Sequence, residues 1–168
     1  PGLTHRKWGQ HFNRHQTWWG FSKPYMTYVS RCQTMLQQGL RVVDVATLLH
    51  EGTPVYMRNL RHALPAGYDF DLCTPEIIQR MTVEDGRIVL PTGVHYRYLE
   101  VVPERLTLPT AMKIEELRQA GARVYRHKSI LGSPGLTDYP AADNQVKQLA
   151  KTWPALPQGG WNKVFADD

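Results

Sequence analysis

Residues 41–49 read RVVDVATLL, and the reading of that stretch decides the fold. Apart from Arg41 and Asp44 it is apolar or β-branched throughout, with none of the polar alternation of a half-exposed strand. Such a run suits a strand buried on both faces of a parallel sheet. Short runs of similar character recur downstream at Tyr68–Cys73, Tyr98–Val102 and Ala122–Arg126, with WNKVF at 161–165 as a last short strand. Helical stretches fall between them. Thr74-Pro75 opens EIIQRM, Thr110 caps AMKIEELRQA ahead of Gly121, and Asp143–Thr152 makes a further helix. Asp85-Gly86 inside MTVEDGRIVLP marks a hairpin. The expected fold is α/β: an open, mainly parallel sheet flanked by helices, with an inserted β-hairpin.

Upstream of this sheet the chain changes character. Residues 1–21 read as an irregular arm. Ser22 then caps a helix with Pro24 in its first turn, and Gly39 stops it. Tyr25, Tyr28 or Val29, Cys32 and Leu36 recur on one face of that helix. The boundary expected from this pattern separates residues 1–39 from residues 40–168.

With 168 residues and 42% hydrophobic content, the chain can bury a real core. The net charge of +5 is concentrated early: the first 41 residues carry six Lys and Arg, and the first acidic residue is Asp44. That balance permits anionic partners without demanding them. No run approaches the roughly eighteen apolar residues of a membrane span. Cys32 and Cys73 form neither a disulfide framework nor a CxxC motif. The start at Pro1, with no signal-peptide pattern, reads as a piece of a longer protein.

Open α/β sheets bind ligands beyond the carboxyl ends of their strands. After Leu49 comes HEGTP, which has none of the glycine spacing that cradles phosphates. After Val102 comes PERL, with no Ser or Cys at a strand-to-helix elbow. The sheet therefore reads as a catalytically silent version of its fold. Asp44 and Glu51 are a conceivable acid pair, although a carboxylate in an apolar strand is more often held by backbone N–H groups or an Arg. Asp69 and Asp71 read as structural or solvated, and Glu115-Glu116 as a solvated helix face. His11 and His15 have a metal-compatible spacing only on a helix, and no third ligand accompanies them, so no metal site is assigned.

The arm contains HFNRHQTWWG (11–20), two adjacent indoles among basic and amide side chains. Three readings fit. The indoles pack onto a neighbouring domain; or they stack bases while cations hold phosphates; or they pack on sugar C–H faces while polar neighbours bond hydroxyls. Residue types alone favour packing.

Longer blocks carry a resemblance. WGQHFNRHQTWW, YVSRCQTMLQQGLRVVDVATLLHEGTP, GYDFDLCTPEIIQRMTVEDGRIVLPTGVHYRYLEVVP and ELRQAGARV resemble the α-L-rhamnosidases of glycoside hydrolase family 106, over nearly the whole chain. The resemblance implies large, calcium-dependent, inverting enzymes that remove terminal L-rhamnose from plant polysaccharides or glycosides. Inversion uses two carboxylates roughly 6.5–9.5 Å apart, and the family's pair lies on barrel segments upstream of the TWW block. Residues 1–39 would then be the arm and helix that end the catalytic barrel, and residues 40–168 an amidotransferase-like accessory domain. The implied partners are the remainder of that barrel and a rhamnose-containing glycan. The resemblance also implies a bacterial periplasmic or secreted parent and no cofactor in this chain. It makes His11, Arg14, Gln16, Trp18 and Trp19 the substrate-binding residues of a sugar-facing rim. LLHEG departs from the family's YGEG wording, and His15 stands where an asparagine is common. The rival expectation is a stand-alone glycan- or nucleic-acid-binding module, nucleic acid being the less favoured ligand.

Overall fold

The computed structural model describes residues 12–52 and 64–168. It divides into two compact units, Pro1–Leu40 and Arg41–Asp168.

In the first unit a 3₁₀ turn at Trp19–Phe21 leads directly into helix α1, Ser22–Leu36. Phe21 holds the cap position, so Ser22 is the first helical residue rather than the expected cap. Gly39 takes a left-handed φ of +83° beyond the last turn, as its predicted stopping role requires. No residue of α1 is buried. Tyr28, Met35 and Leu36, on that helix, are 67%, 74% and 84% exposed.

The second unit runs β1 (Val45–Leu48), β2 (Phe70–Cys73), α2 (Pro75–Ile78), β3 (Thr82–Glu84), β4 (Arg87–Val89), β5 (His95–Tyr96) and β6 (Tyr98–Val101). It continues through α3 (Leu108–Gln119), β7 (Arg123–Arg126), α4 (Ala141–Ala150) and α5 (Gly160–Ala166). Among the described residues, β2-β1-β6-β7 form a four-stranded parallel sheet and β3-β4-β5 a three-stranded antiparallel one. The opening run 41–49 supplies the inner strand β1, all four of whose residues are buried. A parallel bridge from Arg126 to Ala155, with N–H···O bonds of 2.9 Å on either side, prolongs the sheet beyond β7. In chain order the parallel strands lie 2-1-3-4, then this edge, which is the flavodoxin-type doubly wound arrangement.

The register sorts side chains by face, because alternate residues of a strand point opposite ways. Ala46, Leu48, Leu99, Val101 and Val124 join Ile78, Ile88, Ile114, Leu117, Val146 and Trp153 in the larger core. Val45 and Tyr98 face the other way, against Trp161 and Val164 of α5. The hairpin turn has Asp85 at φ +49° and Gly86 at φ +73°, as a type I′ turn requires. β5 extends it by pairing Ile88 with Tyr96.

Three local expectations are corrected. WNKVF is helical: Trp161, Val164 and Phe165 recur at three- and four-residue spacing, and all three pack in the smaller core. α3 begins at Leu108 with Thr107 at the cap position, while Thr110 lies inside the helix and is buried. Glu115 is also buried, not solvated. Its carboxylate takes Arg118 Nε and Nη2 at 2.8 and 2.7 Å, Gln119 Nε2 at 3.0 Å and Trp153 Nε1 at 2.9 Å.

Candidate functional site

The crevice where this sheet type binds ligands opens at the carboxyl ends of β1 and β6, where the strand order reverses. A side chain of the protein already serves as the anion there. Glu51 accepts the Thr107 N–H at 2.7 Å and its hydroxyl at 3.2 Å, at the N-terminus of α3. Helix N-termini favour negative charge, and the carboxylate takes the place a ligand phosphate would have. The imagined Asp44–Glu51 pair does not exist, because the two residues lie beyond opposite ends of β1. Asp44 accepts the backbone N–H of Asp69 at 3.3 Å and lies 3.7 Å from Arg97. Asp69 and Asp71 both pair with Arg41, at 2.7 and 3.1 Å.

Behind the crevice sits a carboxylate that the sequence reading passed over. Glu100, fully buried on β6, accepts the Thr47 hydroxyl at 2.7 Å and the Trp161 indole N–H at 2.9 Å. Its Oε1 also lies 2.5 Å from His127 Nε2, just past β7. The hydrogen bond that His127 makes to Glu100 raises the His127 pKa above the ordinary imidazole value, against a smaller opposing effect of burial. One carboxylate thus joins β1, β6, α5 and the end of β7. Its burial keeps it from an external sugar, so its chemistry is to hold the sheet's second face together. The only trace in the sequence was a glutamate inside the otherwise apolar YLEVV.

The substrate-binding candidates lie in the first unit, except that His11 falls outside the described residues. Arg14 is exposed, and Gln16, Trp18 and Trp19 are half-buried. Turn bonds bring them together: Gln16 N–H to the Asn13 carbonyl at 3.1 Å, and Trp19 N–H to the Gln16 carbonyl at 3.1 Å. Trp18 meets Trp19 at 6.0 Å between ring centroids and Phe12 edge-on at 5.4 Å, while Phe12 stacks on Tyr25 of α1 at 5.9 Å. The Trp18 indole N–H is buried without an acceptor among the described residues. A buried donor left in that state is a cost that a ligand or partner oxygen would relieve.

Comparison with known proteins agrees with this architecture. The sequence profile of the alpha-L-rhamnosidase family, glycoside hydrolase family 106, matches residues 1–164. A relative from Formosa agariphila, provisionally named a beta-glucuronidase, is 38% identical over 152 residues, covering 89% of this chain and 13% of its own. The solved structure of a rhamnosidase from Novosphingobium sp. PP1Y superposes with a TM-score of 0.66 at 22% identity, over 99% of this chain and 18% of its own, and supports the fold. The class these matches define is glycoside hydrolase. Within it, the chain belongs to the alpha-L-rhamnosidase family. The chain spans less than a fifth of either protein, 13% of one and 18% of the other.

Proposed function

We propose that this chain is the accessory part of a glycoside hydrolase that removes terminal α-L-rhamnosyl residues from plant polysaccharides or glycosides. In this reading residues 40–168 form an amidotransferase-like domain with a structural task, and residues 1–39 complete the end of a catalytic barrel. Arg14, Gln16, Trp18 and Trp19, with His11, supply part of the sugar-facing rim: indole faces against C–H surfaces, amide and guanidinium groups to hydroxyls. The apolar face of α1 is the surface against which the remainder of the barrel would pack. No three His, Cys, Asp or Glu side chains converge as a metal site among the described residues.

The observation that carries the accessory role is the engagement of the sheet's two well-placed carboxylates. Glu51 caps α3 and Glu100 is buried within the second face, so neither is offered to a substrate. The Formosa relative's name supports a glycosidase but points to a different sugar. The test is a sensitive assay of the purified 168-residue chain on an aryl α-L-rhamnoside. Release at the uncatalysed rate is expected, and saturable turnover would overturn the accessory role.

A further inference from the structure

A recess of about 490 Å³ lies on the second unit, between the segment after β7 and the first turns of α4. Its size falls within the roughly 300–1,000 Å³ of small-ligand sites. Arg105, Ser133, Tyr139, Asp143 and Lys147 contribute its polar and aromatic lining.

The carboxylate is built in rather than left on the surface. Asp143 is 8% exposed, and its Oδ1 accepts the Ser133 N–H at 3.1 Å. A Cβ on Gly132 would stand 2.3 Å from Asp143 Oδ2, and Gly132 has a φ of +133°, so this close approach needs glycine. Asp143 Oδ2 is 3.7 Å from Arg105 Nη1, too far for a hydrogen bond, which leaves it able to accept one.

The cations are less committed. Arg105 Nη1 donates to the Ser133 carbonyl at 2.9 Å, and the guanidinium, half exposed, keeps further N–H groups for another acceptor. Lys147 lies one helical turn beyond Asp143 and shares its face, yet no ion pair of Lys147 occurs among the described residues. Two cations against one carboxylate leave the recess net positive, at the end of α4 where the helix dipole also favours an anion. Tyr139, 64% exposed, offers an aromatic face at the rim.

We propose that this recess binds an acidic sugar residue, a uronic acid, as a second glycan site apart from the aromatic arm. The sugar carboxylate lies against Arg105 and Lys147, a ring hydroxyl donates to Asp143, and the C–H face packs on Tyr139.

The test is calorimetric titration of the full chain with a uronic-acid disaccharide, its neutral counterpart, and inorganic phosphate. Binding of the acidic disaccharide alone is expected, weakening as salt is raised. Lys147→Ala, which removes no internal bond among the described residues, should weaken it about three- to tenfold, and Tyr139→Ala by a similar factor. Equal binding of the neutral sugar, phosphate binding as tight as the disaccharide, an unchanged Lys147→Ala, or no binding at millimolar concentration would each overturn the site. The readout needs no turnover, so it is independent of the rhamnosidase reading.

Discussion

Trp161 of α5 donates its indole N–H to Glu100 of β6 at 2.9 Å, and neither residue is more than 3% exposed. The bond crosses from helix to sheet inside the smaller core. It explains how a glutamate is tolerated in an inner strand: each oxygen meets a donor, Thr47 on one side and Trp161 with His127 on the other. Glu100→Ala would strand these donors in the core. We expect a loss of about 3–5 kcal/mol, the usual cost of removing one partner from a buried charged network. Trp161→Phe replaces the indole by a smaller ring and deletes its N–H, so it loses both the bond and some packing and should cost at least about 1–3 kcal/mol. Urea denaturation measures both, and an unchanged midpoint for Glu100→Ala would sink this account of the second face.

His127 makes part of that stability pH-dependent. Because its folded pKa is raised by Glu100, its contribution is complete below the unfolded value of about 6.5 and fades as pH climbs through the folded value. Stability should therefore decline above about pH 6.5. In His127→Gln that component of the slope should vanish. Thermal melts across pH 5 to 9 compare the two proteins, and identical profiles would count against the assignment.

Glu115 acts at the acid end. Its bonds to Arg118 above all, then to Trp153 and Gln119, hold its pKa down at about 2, below the usual 4.5 of a glutamate. The contribution is present above 4.5 and is lost as pH falls toward about 2. Glu115→Gln should flatten the acid limb of the stability profile between those values, read by the far-ultraviolet circular dichroism of acid titrations. A wild-type acid limb in the variant would refute it.

Gly132→Ala should destabilise by about 2 kcal/mol or more, since it adds a Cβ 2.3 Å from Asp143 Oδ2 and forces alanine to φ +133°. Ser133→Ala keeps the backbone bond to Asp143 and should be mild by comparison. Their ranking in thermal denaturation tests the geometry of the recess.

The legible parts of the fold were those written in local pattern. The apolar run of β1 and the Asp85-Gly86 turn needed only neighbouring residues to be read, and both stand. WNKVF reads as a strand because three of its five residues, Trp161, Val164 and Phe165, are aromatic or β-branched. The helical spacing of Trp161, Val164 and Phe165 decides it only once a sheet face exists to receive them. Glu100 and Glu115 were missed or misassigned for a related reason. Their partners Thr47, Trp161 and Trp153 lie 38 to 61 residues away, and no spacing rule reaches that far. In the arm, turn bonds tie Gln16 to Asn13 and Trp19 to Gln16, while the sugar role proposed for Arg14, Gln16, Trp18 and Trp19 is suggested by family membership rather than by contacts within the chain.

The central claim concerns those indoles, and the most direct measurement replaces them in a longer family member that carries this segment. Trp18→Ala and Trp19→Ala, made separately, should lower kcat/KM for an aryl α-L-rhamnoside at least about tenfold, equivalent to about 1.4 kcal/mol of lost transition-state binding. The melting temperature should move by no more than about 2 °C. Unchanged kinetics with a clearly lower melting temperature would contradict the account and make the pair a packing element alone.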